Sequence, residues 1–482
     1  MSYHINIAKK IGLALMLFSC ISCKKLIEVD SPITSTNSGN VYRNDATAAA
    51  VLTGIYARMS NQDATLNDIT AIGLFTGLSA DELTLFNLSN TNYLPFYKND
   101  LIASNEAFGV FWKNIYPIIF IANSAIEGVS ESTTLTPKVK QQLMGEAKFI
   151  RAFCYFYLVN LYGKVPLVTS TDWKTNANSA ASPTDEVYRQ IVADLLDAKN
   201  LLNVDYVRVD AASTYPTAQS AERVRPNSYA ASALLSRVYL YTEEWAKAET
   251  EATRVISNST YYSLPTLNNV FSKNSPETIW SLQPVKTGTL ANTSAGGLFI
   301  LPITGPNNAD FPIYLSDNLA KTFESGDQRK TNWLDSVRPA SKTYYFAKKY
   351  KIGKTNTATQ EYIMVLRLAE QYFIRAESRA QLNNTGGALA DLNTIRGRAN
   401  IGSISIGDKS LLINEIQNER QKELFTEWGD RWFNLKRTGA INAIMSNIAP
   451  QKGGIWAPFK ALYPIPQSEL QVAVGLSQNS GY

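Results

Sequence analysis

The sequence predicts a mainly α-helical fold: a superhelix of tetratricopeptide-like helical hairpins, overlaid by a loop-rich irregular region with short β-strands. Three observations predict it. Apolar residues recur at helical spacing along most of the chain after residue 44. Two stretches, 233–256 and 366–399, each place small residues where two helices would cross and aromatics in the gap. Between about 258 and 362 Gly, Pro, Asn and Thr rise and the helical period lapses.

The N-terminus reads as a lipoprotein signal over 1–22. Lys9 and Lys10 precede the apolar run IGLALMLF, which is too short to span a bilayer core of roughly 20 residues. Small residues then lead into cysteine. Cys23 is the preferred lipidation site because the polar mature chain begins at Lys24-Lys25; Cys20, with Leu17 three places upstream, is the alternative. Such a chain is held to a membrane surface by acyl chains.

Residues 23–44 form a polar tether. Helices are expected at Asp45–Met59 with Asp45 as N-cap, at 104–129, at 138–162 with Gly163 as its stop, and at 183–202. Residues 227–257 make a hairpin broken at Thr242-Glu243-Glu244. The stretch 366–399 makes another, turning at Asn383-Asn384-Thr385-Gly386-Gly387. The chain thus divides into 45–257, an irregular 258–362 with strand-like pieces at 278–282 and 344–350, and 363–482. Loop-rich segments laid on rigid elements are where binding residues concentrate.

Composition excludes several functions. The formal charge of +5 falls by two when Lys9 and Lys10 leave with the signal, and no basic cluster points to nucleic acid. The single histidine, His4, lies in the signal, so a mature chain has no Ser–His–Asp or Cys–His catalysis and no His-ligated metal. Cys154, between Phe153 and Tyr155, is expected in the core. No cofactor is expected.

Near the C-terminus, Glu419, Glu423 and Glu427 recur every four residues beside Arg420, Arg431 and Arg437. Four-residue spacing puts the carboxylates on one helix side. Paired carboxylates can perform glycosidase chemistry. Close arginines keep them ionised instead, which favours an ion-pair network. Trp112, Trp245, Trp428 and Trp432 are assigned to the core.

Several segments resemble the SusD/RagB family of outer-membrane nutrient-binding lipoproteins. They are CKKLIEVDSP from Cys23, GEAKFIRAFCYFYLVNLYGKVPLV at 145–168, VYRQIVADLLDA at 187–198 and YAASALLSRVYLYTEEWAKA at 229–248. LRLAEQYFIRAESRA at 366–380, the 419–437 run, LYPIPQSEL at 462–470 and QNSGY at 478–482 complete the set. The resemblance implies an N-terminal SusD-like and a C-terminal RagB/SusD helical region. It also implies a non-enzymatic protein lipidated at Cys23 and anchored on the outer leaflet of the outer membrane. Such proteins form the lid of a SusC-type TonB-dependent transporter, to which they hand an oligosaccharide or peptide. The acidic residues after Cys23, Glu28 and Asp30, are spaced out, a departure from a dense acidic run.

A sugar ring offers an apolar face to aromatic side chains and a hydroxyl rim to polar ones. In starch-binding relatives an early loop and the central region supply the aromatics. By region this points to Tyr93, Phe96 and Tyr97, then Tyr314 and Trp333, with Asp81, Asn92 and Arg329 as polar partners. Two rival readings are a tetratricopeptide scaffold for envelope assembly and a glycan-cleaving enzyme.

Overall fold

The computed structural model describes residues 38–60, 69–177, 179–285, 291–353, 357–473 and 475–482. The signal, Cys20, Cys23 and most of the tether lie outside them.

The helices come first as a stack of antiparallel neighbours. They are α1 (Asp45–Met59), α2 (Ile72–Ser79), α3 (Val110–Glu131), α4 (Pro137–Tyr162), α5 (Thr184–Leu201), α6 (Ser228–Tyr241) and α7 (Trp245–Ile256). The second half adds α8 (Leu368–Gln381), α9 (Thr385–Arg398), α10 (Lys409–Leu424), α11 (Asp430–Arg437) and α12 (Ile441–Gln451). Each of α3 to α9 packs on the next in sequence, and α10 returns onto α8. The α6–α7 and α8–α9 hairpins are the two predicted repeats. Ala230, Ala233, Ala248, Ala252, Ala369, Ala376, Ala380 and Ala388 are fully buried at these crossings, where a larger side chain would hold the backbones apart.

The ends of these helices follow local chemistry. Asn44 caps α1 by accepting from the amides of Ala46 and Thr47. Asp45, expected as the cap, instead accepts from the amide and hydroxyl of Thr136 at the start of α4. Gly163 stops α4 at φ 76°, a left-handed conformation that glycine adopts without penalty. Asn227 caps α6, and Asn384 caps α9 by accepting from the Gly387 amide. Cys154 is fully buried, as expected, and burial raises its thiol pKa. Trp112 and Trp432 are also core residues, whereas Trp245 and Trp428 are half-buried at its margin.

Among the described residues eight short strands accompany the helices. β1 (Leu83–Leu85), β5 (Ile313–Leu315), β7 (Tyr344–Ala347) and β6 (Leu334–Val337) form one sheet in that order. β2 (Val165–Pro166) pairs with β3 (Ala181–Ser182), and β4 (Thr278–Leu282) with β8 (Ile363–Arg367), all antiparallel. β4 and β8 are buried along their whole length. Trp280 of β4 lies edge-on to Phe149 at 4.9 Å and Phe153 at 5.1 Å, so this ribbon is keyed into α4.

Among the described residues no helix is long and apolar enough to cross a membrane.

Candidate functional site

The acidic run at 419–427 is structural. Glu419 and Glu423 belong to α10, which ends at Leu424; Glu427 lies past that end, in a turn where Thr426, Trp428 and Gly429 have φ of 59°, 46° and 75°. The ion-pair expectation holds, but with other partners. Glu419 pairs with Arg329 at 2.7 Å and with Arg396 and Lys422 at 2.7 Å. Glu423 pairs with Arg367 at 2.8 Å and with Arg398. Glu427 takes Lys349 and, at 2.7 Å, Arg367. The arginines near in sequence point elsewhere: Arg420 to Asp430, Arg431 to Asp81 and Arg437 to Glu377. Burial opposes the charge on Glu423, yet Arg398, Arg367 and Arg329 hold its carboxyl well below the usual range. A general acid needs the opposite shift.

This network corrects part of the expected binding set. Arg329 is fully buried and spans Asp327 and Glu419, both at 2.7 Å. Trp333 is fully buried and donates its indole N–H to the Leu267 carbonyl at 2.9 Å. Lys349 lies over its ring at 5.1 Å. Phe96 packs among Phe75, Phe108 and Tyr463 at 4.4–5.6 Å. Asp81 makes a two-pronged pair with Arg431 at 2.8 and 2.7 Å. Burial resists its charge and the Arg431 hydrogen bonds outweigh that, leaving its pKa lowered. All four are therefore committed to the body. Tyr93 is half-buried against Phe75 at 5.8 Å, and Asn92 is exposed in the loop before it.

Tyr314 is different, and the sheet register says why. Thr84 of β1 stands opposite Tyr314 of β5. Side chains alternate along a strand, so Leu83, Leu85, Ile313 and Leu315 turn to the core and are buried, while Thr84 and Tyr314 turn outward. Two residues beyond Thr84, Phe86 joins this outer face and is 40% exposed. Leu315 opposes Tyr345, which places Tyr344 on the outer face too. Tyr344 then meets Tyr314 at 5.0 Å and 89°, and Phe86 at 6.0 Å and 68°. Tyr97, nearly buried, is hydrogen-bonded to Thr84. Of the aromatics expected from sequence, Tyr314 is the ring on this face and Tyr97 adjoins it through Thr84. Phe86 and Tyr344 were missed, although the alternation in Leu83-Thr84-Leu85-Phe86 carries the signal for the first.

Amide-rich loops rim the three rings. In 87–93, Asn87 accepts from the Ser89 amide at 2.9 Å, and Asn90 accepts from the amides of Asn92 and Tyr93, each at 3.1 Å. These side-chain turns fix the loop without secondary structure. On the other side Gly305 has φ 83°, and a Cβ there would lie 2.7 Å from the Pro339 ring and 3.7 Å from Tyr344. Glycine lets that loop close against the aromatic patch. The surface thus combines ring edges and faces with carboxamides, on a frame held by a buried sheet face. Such a surface can hold an amphipathic ring ligand.

Comparison with known proteins agrees with the fold and with the sequence resemblance. A family model described as starch-binding and associating with the outer membrane matches residues 45–240, and the SusD family model matches residues 317–482. The chain belongs to the SusD/RagB family. A SusD-like protein of Formosa agariphila is 24% identical over 97% of this chain and 98% of its own. The surface glycan-binding protein A of Bacteroides fluxus superposes with a TM-score of 0.75, at 20% identity, over 91% of this chain and 100% of its own. A laminarin-binding SusD-like protein does so at 0.72, with 23% identity, over 92% and 100%.

Proposed function

We propose that this protein is a cell-surface lipoprotein that binds an oligosaccharide on the Phe86–Tyr314–Tyr344 face and delivers it to a SusC-type TonB-dependent transporter, over which it acts as a lid. The observation that carries the reading is the aromatic cluster on the outer sheet face, rimmed by asparagine loops. Family membership supports the transporter partnership, the outer-membrane location and the lipid anchor at Cys23. Two structural neighbours are a laminarin-binding protein and a surface glycan-binding protein, which supports a saccharide over a peptide. The commitment of Glu419 and Glu423 to buried arginines supports capture without cleavage.

Glycan binding by the purified protein tests this. Tyr314→Ala and Tyr344→Ala are each expected to weaken binding by about 1 kcal/mol or more while leaving the thermal midpoint nearly unchanged. Undiminished binding in both variants would move the site elsewhere. Turnover of the bound glycan would replace the capture reading with the enzymatic one.

A further inference from the structure

Resting on the glycan-binding reading above, we infer that this site selects acidic saccharides and that Lys342 makes the selection. Lys342 is exposed on the turn between β6 and β7. Its ammonium lies 5.1 Å from the centre of the Tyr314 ring and 4.8 Å from that of Tyr344, and donates to the Tyr314 hydroxyl at 3.2 Å. The two rings stand perpendicular, and the ammonium sits in the notch between them, at the hydroxyl end of Tyr314 and beside the Tyr344 ring. The ring surface a sugar would stack on is therefore already bordered by the chain's own charge.

That arrangement discriminates between ligands. A neutral sugar entering the notch displaces the ammonium from the Tyr314 hydroxyl and the Tyr344 ring, and offers it only uncharged hydroxyl acceptors in return. A uronate or sulfated sugar lays its C–H face on the rings and offers its anion to the displaced ammonium, which exchanges a cation–ring contact for a charge-assisted hydrogen bond. Among the described residues Lys342 has no carboxylate within ion-pair distance; Asp317, the acidic group acting on it, is the weakest of the influences on its charge. Arg338, on the same turn, is also exposed.

The test is titration of the full mature protein with length-matched pairs: uronate hexamers against the corresponding neutral hexamers, and sulfated against desulfated galactan oligomers. The wild type is expected to bind the acidic member of at least one pair tenfold or more tighter, with the ratio shrinking as salt rises. Lys342→Ala should collapse or invert that ratio, weakening the acidic member and strengthening the neutral one, at an unchanged thermal midpoint; Lys342→Arg should preserve it. Neutral members that bind the wild type as tightly as acidic ones, or a ratio unchanged in Lys342→Ala, would overturn the inference. If that neutral binding is lost in Tyr314→Ala, the glycan reading survives its failure. If no member of either class binds, both readings fall together.

Discussion

Arg329 and Trp333 show how one residue type can be misplaced by region alone. Both lie where a ligand-facing loop is expected, and both are at the centre of the charge network. Replacing one member of such a network leaves its partners buried and uncompensated. Arg329→Met is therefore expected to cost about 3–5 kcal/mol of stability, measured by urea denaturation, because Asp327 and Glu419 lose a shared partner. Trp333→Ala should lose a similar amount, about 3–5 kcal/mol, through its cavity and its lost hydrogen bond. In both variants any loss of ligand binding should track the fraction unfolded, unlike that in Tyr314→Ala. Sequence distinguishes an arginine from a lysine but not a buried network from an exposed one. The partners of Arg329 in α10 are some 90 residues away, and that distance hides them.

At the scale of elements, α2, β1 and the 425–429 turn meet in a tight joint. A Cβ on Gly73 would sit 2.6 Å from the Thr426 carbonyl oxygen. Glu82 lies buried in the same joint and accepts from the Thr426 amide at 3.2 Å. Burial and the neighbouring Asp81 charge push its pKa up to about 8, against the opposing pull of that amide, Arg431 and Lys349. The folded state thus keeps a proton that the unfolded chain releases near 4.5. Between those values the folded state binds more protons, so this group makes stability fall as pH rises. Glu82→Gln keeps an acceptor for Thr426 and removes the titration. The variant should gain stability relative to wild type progressively from pH 5 to 8, read as the difference between paired denaturation midpoints. A constant difference across that range would show that Glu82 is ionised in the fold. The helix at α2 was not legible, whereas elsewhere helix ends and crossings were: Gly163, Asn384 and the alanine crossings act locally, within a turn or two of chain. The turn at 425–429 was not. The four-residue spacing of glutamates continued through it, and its positive φ values at Thr426 and Trp428 are held by tertiary contacts that leave no local signature.

For the whole molecule, the charge network crosses from the helical scaffold into the central region. Lys349 joins Glu427, Arg329 joins Glu419, and Arg398 of α9 reaches Glu277 at 2.5 Å beside β4. The sequence divides the chain into three stretches, yet their charges are mutually neutralising. Scanning calorimetry of the mature protein is therefore expected to show a single transition with equal calorimetric and van't Hoff enthalpies. A separate early transition for the central stretch would contradict it. Fold class and hairpin order were readable because periodicity is a chain-local property. The aromatic face was only half readable. Tyr314 was named, but Phe86 and Tyr344 join it through strand pairings across more than 200 and about 30 residues, and pairing has no signature in one sequence.

The ribbon of β4 and β8 carries one more consequence. Its two strands run antiparallel and are buried in the scaffold, with Leu282 opposite Ile363 at one end. The chain between them therefore leaves and returns at neighbouring points. A segment anchored in this way can lengthen or shorten with little entropic cost, since closure depends only weakly on loop length. Descendants of such a gene can trade one recognition surface for another while inheriting the same platform. The buried pair of strands fixes the ends of that segment, Arg329 and Lys349 fix points within it, and the exposed turns between are free to diversify.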